Sequence, residues 1–140
     1  MKTRAWGEEY RTTTVCIDSC ENGVLNGRFY NRYLEGGRQF ESLTQFLIEM
    51  ERTLDRMDFP KAFTTTRSFA VPPPELDSGQ TEDALQKGAE ATFAIRVLFR
   101  QNASWQGTIT WLERKQEQSF RSVLELILLM NSALSSQDAA

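Results

Sequence analysis

Two stretches lying 80 residues apart, QFESLTQFLIEM (residues 39–50) and SFRSVLELILLM (residues 119–130), share one pattern. Each places a Phe two residues before a Ser, a Gln or Glu three residues after it, and an apolar run ending in Met. Held without gaps, the same offset pairs Asn22 with Asn102, Gly27 with Gly107, and Leu54 with Leu134. Chemical type is kept where identity is lost: Val15 meets Ile95, Ile17 meets Val97, Phe29 meets Ile109 and Leu47 meets Ile127. This agreement, from Thr12–Leu54 to Thr92–Leu134, predicts one structural unit built twice, spanning residues 12–57 and 92–137 of a single domain 1–140. A chain of 140 residues suits one hydrophobic core.

Each copy reads as strand, turn, strand, short connection and helix. TTTVCIDS and TFAIRVLF alternate β-branched or apolar residues with others, the period of a half-buried strand. ENGVLNG supplies Asn-Gly turn chemistry and RQNAS a second turn, after which GRFYNRYL and WQGTITWL resume the extended pattern. Gly27 and Gly107 fall early in these second strands, where a bulge or a close backbone approach calls for glycine. Ser42 and Ser122 are placed to cap helices, with Gln45 and Glu125 three residues on completing a capping box. Apolar residues then recur at helical spacing, Leu43, Phe46, Leu47, Met50 and Leu54 in one copy and Val123, Leu126, Ile127, Met130 and Leu134 in the other. Phe40 and Phe120 are expected as core anchors just ahead of the helices. Between the copies, Pro60 should end the first helix, AFTTTRSFAV reads as a further strand, and residues 72–91 read as a Pro-rich loop with room for a helical turn at Glu82 to Gln86. The expected fold is α+β, ordered ββα–β–ββα, with an antiparallel sheet of about five strands and two helices on one face.

Strict alternation assigns the faces. Val15, Ile17, Phe29, Ile95, Val97, Phe99, Trp105, Ile109 and Trp111 fall on the side of the helices. Cys16, Leu98, Thr108 and Thr110 fall on the other, together with Arg28, Tyr30, Arg32, Arg96 and Arg100, which form the candidate binding face. Such a face suits an acidic protein partner, or single-stranded nucleic acid held by phosphate contacts and base stacking, or it is simply solvated. The two helices also differ. Leu124 and Leu129 stand where the first copy has Thr44 and Glu49, and Leu128, which matches Ile48, extends that strip. A helix apolar nearly all round must be covered on more than one side, so Leu124, Leu128 and Leu129 are the candidate contacts of a homodimer through helix 122–136.

The absence of His excludes Ser–His–Asp and Cys–His nucleophile pairs and His metal ligands. No phosphate loop or paired-carboxylate motif stands out, so no catalytic, cofactor-binding or metal-binding residue is assigned and a His-independent enzyme is the minor reading. Cys16 and Cys20 on one strand would lie roughly 13 Å apart, beyond disulfide reach, and read as free thiols. A net charge of −3 argues against a protein that coats nucleic acid generally, while leaving room for a local basic patch. The N-terminal MKTRAWGEEYR has no apolar core of a secretory signal, and no run approaches the ~20 apolar residues that span a bilayer, so a cytoplasmic protein without a membrane partner is expected.

The segments NGVLNGRFYNRYLEGGRQFESLTQFL, MDFPKAFTTTRSF and WQGTITWLERKQEQSFRSVLELILLM resemble a group of small bacterial proteins of clostridial-type Firmicutes with no established activity. The resemblance implies a bacterial cytoplasmic protein and transfers no site residues. The reading that combines these observations is a non-enzymatic protein-binding or regulatory module, with a nucleic-acid-binding accessory as the alternative.

Overall fold

The computed structural model describes residues 10–62, 80–81 and 87–138. In chain order the elements are β1 (Thr12–Glu21), β2 (Val24–Asn31), β3 (Gly37–Phe40), α1 (Leu43–Met57), β4 (Gln80–Thr81), β5 (Ala91–Phe99), β6 (Gln106–Trp111), β7 (Gln116–Phe120) and α2 (Val123–Asp138). All the strands join one antiparallel sheet in the order β4-β3-β2-β1-β5-β6-β7, with β1 and β5 paired at its centre. The fold is thus α+β. Among the described residues six strands have four or more residues, and β4 is described over two.

Both helices cover the same face. Val15 pairs with Phe29 on one side and Phe93 on the other, so these three side chains share a face. Phe46 of α1 meets Phe29 edge-on, with ring centroids 5.7 Å apart, and Leu129 and Ala133 of α2 share a cleft with Phe93 and Ile109. Val15, Ile17, Phe29, Phe46, Ile95, Val97 and Leu126 are all completely buried. Phe40 and Phe120 sit in the core at the end of the strand before each helix, as expected of anchors.

The helix starts follow from their sequence. Ser42 Oγ accepts from Gln45 N at 3.1 Å, and Ser122 Oγ accepts from Glu125 N at 3.2 Å. Gln45 Oε1 and Glu125 Oε1 accept in return from the backbone amides of Glu41 and Arg121, one residue beyond the usual capping box. α1 stops at Asp58, whose left-handed φ of 52° closes the last turn, and Pro60 follows.

Three expectations change. The short connections before the helices are strands, β3 and β7, so each half is βββα. Their central residues, Arg38 and Gln39 in one and Glu117, Gln118 and Ser119 in the other, are polar and give no alternating signal. The second change is in the sheet's parity. β1 carries an extra residue, Asp18, between the pairs Ile17–Gly27 and Ser19–Asn26, and β5 carries Leu98 between Val97–Gly107 and Phe99–Gln106. Each bulge reverses the side of every residue beyond it. Phe99 therefore leaves the core face and is 52% exposed, while Arg100 turns toward the helices and is 2% exposed. The third concerns Trp105, which lies ahead of β6 rather than on a strand, although it is buried as expected. Of AFTTTRSFAV only Ala62 is described, bridging to Arg100, and residues 63–71 and the turn at Glu82 to Gln86 lie outside the described residues.

Gly27 and Gly107 are required by these bulges. A Cβ on Gly27 would lie 2.0 Å from the Cys16 carbonyl oxygen, and one on Gly107 would lie 1.8 Å from that of Arg96. Gly23, at φ +77° in the β1–β2 turn, has open space around its Cα and needs glycine only for its backbone angle. Gly27→Ala and Gly107→Ala are each expected to cost about 2–3 kcal/mol, against about 1 kcal/mol for Gly23→Ala, read from urea unfolding midpoints.

Candidate functional site

The expected Arg/Tyr face divides. Cys16 sits between Arg28 and Thr92 across neighbouring strands, and Thr14 sits between Tyr30 and Ala94. These residues do lie opposite the helices. They are not an open surface, however: Cys16 is fully buried, Thr92 is 2% exposed and Tyr30 is 6% exposed. Arg28 binds the Asp18 carboxylate, donates from Nε to the Tyr30 hydroxyl at 2.9 Å, and donates from Nη2 to the Lys87 carbonyl at 2.8 Å. The hydrogen bond to Asp18 raises the Arg28 pKa further. Tyr30 therefore cannot offer its ring to a nucleic-acid base, and Arg28 is already neutralised by a carboxylate. Arg96 is half-buried opposite Thr12 and Thr108, and Arg32 is exposed in the turn after β2.

Arg100 belongs to a different place. It faces the C-terminal half of α1, where Nε donates to the Pro60 carbonyl at 2.6 Å and Nη1 donates to Asp55 Oδ1 at 2.6 Å. Glu51 Oε2 lies 3.4 Å from the same Nη1, while Glu51 Oε1 accepts from Trp105 Nε1 at 2.7 Å. The guanidinium and the indole thus fill the space between the β5–β6 connection and α1, and Arg100 satisfies backbone carbonyls near the helix end. Its position could have been anticipated from Gly107, because a bulge opposite that glycine inverts the faces after Val97.

The three leucines of α2 also separate. Leu124 and Leu128 are 66% and 57% exposed. Leu129 packs inward instead, beside Phe93, Ile109 and Trp111 in a cleft of about 200 Å³ between α2 and the sheet. Helical geometry explains this, because position 129 lies near 126 and 133 on the sheet-facing side, with Leu126 fully buried. A larger cavity, about 310 Å³, lies where α2 meets the β1–β2 hairpin, and its walls include Cys20, Leu25, Met130, Asn131 and Leu134. Val24, next to Leu25, is 51% exposed.

The two thiols differ in kind. Burial pushes the Cys16 thiol up to about 11, with Arg28 opposing the shift, so it stays protonated near neutral pH. Cys20 is exposed, and both are free. Among the described residues no group of three or more Cys, Asp or Glu side chains could hold a metal ion, and no helix is long and apolar enough to cross a membrane.

The chain matches no protein-family model, no curated protein and no solved structure.

Two outcomes follow from this geometry. A disulfide reagent at pH 7 is expected to modify Cys20 in the native protein and Cys16 only after unfolding, as read by peptide mass mapping. The folded-state pKa of Cys16 is raised, so its contribution to stability is complete below the unfolded thiol pKa and declines as pH rises toward 11. Arg100→Met is expected to cost about 1–3 kcal/mol by leaving the Pro60 carbonyl and Asp55 without their donor, measured by urea denaturation.

Proposed function

We propose that this chain is a non-enzymatic protein-binding or regulatory module, and that its first partner is a second copy of itself, docked through helix 122–136. The observation that carries this reading is the pair Leu124 and Leu128, one helical turn apart and both more than half exposed. Val24 adds a third exposed apolar side chain, and its neighbours Gly23 and Leu25 line the same cavity as Leu128. α1 has Thr44 at the position matching Leu124, so the apolar strip is particular to α2. A two-fold pairing would set the same strip of each copy against its equivalent, removing it from water in both.

The same reading takes the two halves as copies of one unit. In support, the bulges, the Gly27–Phe40 and Gly107–Phe120 pairs, and the Ser42 and Ser122 caps all recur at the 80-residue offset. The protonated, buried Cys16 favours a binding role over nucleophilic chemistry on the sheet. The nucleic-acid alternative keeps Arg32 and Arg96 but loses the buried ring of Tyr30 and the inward-facing Arg100.

Light scattering at tens of micromolar is expected to give the mass of a dimer, and Leu124→Glu with Leu128→Glu the mass of a monomer with an unchanged unfolding midpoint. A monomeric parent protein at those concentrations would rule out the self-association.

A further inference from the structure

The sheet meets its helices at two hairpin ends, and the two ends are built on the same frame with different contents. At one end Arg100 and Trp105 bond to Glu51, Asp55 and the Leu54 carbonyl of α1, on the helix that also carries the buried Met50. At the other end the residues 80 positions away are Cys20 and Leu25, against Met130, Asn131 and Leu134 of α2. The walls agree closely. Met50 and Met130 are each 1% exposed, and Leu54 and Leu134 are 1% and 6% exposed. What differs is the filling. A guanidinium and an indole occupy the first end, and a cavity of about 310 Å³ remains at the second.

The polar groups change in step. Glu51, which accepts the Trp105 indole N–H, is matched by Asn131, and Asp55, which binds the Arg100 guanidinium, is matched by Ser135. Both carboxylates have become neutral groups. None of the residues lining the cavity carries a charge, so a charged occupant would lose hydration with no opposite charge to replace it. An amide oxygen nevertheless remains at position 131, able to accept a hydrogen bond as Glu51 does at the other end. An apolar cavity of about 150 Å³ accommodates benzene, so one of twice that size has room for two fused rings.

We propose that this cavity binds an uncharged, two-ring aromatic small molecule bearing one N–H donor, with indole as its simplest representative. The ring system lies among Leu25, Leu128 and Leu134 over the buried Met130, and the N–H donates to the side-chain oxygen of Asn131. The ligand occupies the place that Trp105 fills at the opposite end of the sheet. Leu128 of the proposed docking strip forms part of this cavity's rim, whereas Leu124 lies outside its wall, so a change at Leu124 separates ligand binding from self-association.

The test is a titration of the full chain, followed through the methyl resonances of Leu25, Met130 and Leu134. Indole is expected to shift them saturably at submillimolar concentration. 1-Methylindole, which lacks the donor, should bind at least tenfold more weakly, and indole-3-carboxylate should produce no saturable shift. Leu25→Trp, which places the other end's residue here, should abolish the response to indole, whereas Leu124→Glu should leave it intact even if it disrupts self-association. Asn131→Leu, at an exposed helix position that does not disturb the core, should reduce indole to the affinity of 1-methylindole. No shift with millimolar indole, equal affinity for indole and 1-methylindole, or undiminished indole binding by folded Leu25→Trp would each overturn the proposal.

Discussion

The placement of side chains in this protein depends on two β-bulges, each set opposite a glycine. Asp18 and Leu98 are the extra residues, and Gly27 and Gly107 stand where the bulged strand presses its backbone into its neighbour. The extra residue changes the parity of the strand, so positions 20 and 100 face the helices although plain alternation would turn them away. Neither bulge is left loose. The Leu98 carbonyl accepts from Arg11 Nη1, and the Asp18 carboxylate accepts from the Ala89 amide and pairs with Arg28. The core, the helix ends and both hairpin ends are arranged around this constraint.

On that common frame the two ends use different chemistry. Near the end of α1, Arg100 brings a buried positive charge to two carboxylates and to the Pro60 and Leu54 carbonyls. Such an arrangement costs desolvation and is stable only because nearly every donor of the guanidinium is used. Along α2 the corresponding contacts are apolar and less complete, with Leu25 and Cys20 in place of an indole and a guanidinium. The first arrangement clamps its helix. The second leaves room.

The opposite side of the sheet shows how a polar-looking strand face can be closed. Arg28, Asp18 and Tyr30 satisfy one another, and the segment entering β5 is drawn in by Gly88 N donating to Thr92 Oγ1 and Glu90 N donating to the Ile17 carbonyl. Gly88 sits so near the Ile17 backbone that a Cβ would lie 2.5 Å from its nitrogen. Arginine and tyrosine at alternating positions indicated the right face. They did not indicate whether that face was open, since ion pairing and cross-strand hydrogen bonds are absent from a one-dimensional pattern.

Local chemistry made much of the fold legible in the chain. The α+β class, the paired helices with their Ser caps, the Phe anchors, the turns and most core positions follow from periodicity and from residues whose preferences act within a few positions. β3 and β7 were hidden because their polar centres form strands only through a neighbour that supplies the hydrogen bonds. Arg100 and Leu129 were assigned to surfaces because one inserted residue and one helix rotation, both set by packing, decide which way a side chain points. The sequence by itself determined a strand–turn–strand and capped-helix pattern recurring at 80 residues, and the differences between its two occurrences. Tertiary structure alone decided that Cys20 and Leu25 meet α2 where Arg100 and Trp105 meet α1, because only packing brings a hairpin end and a helix more than 100 residues apart in the chain against the same cavity.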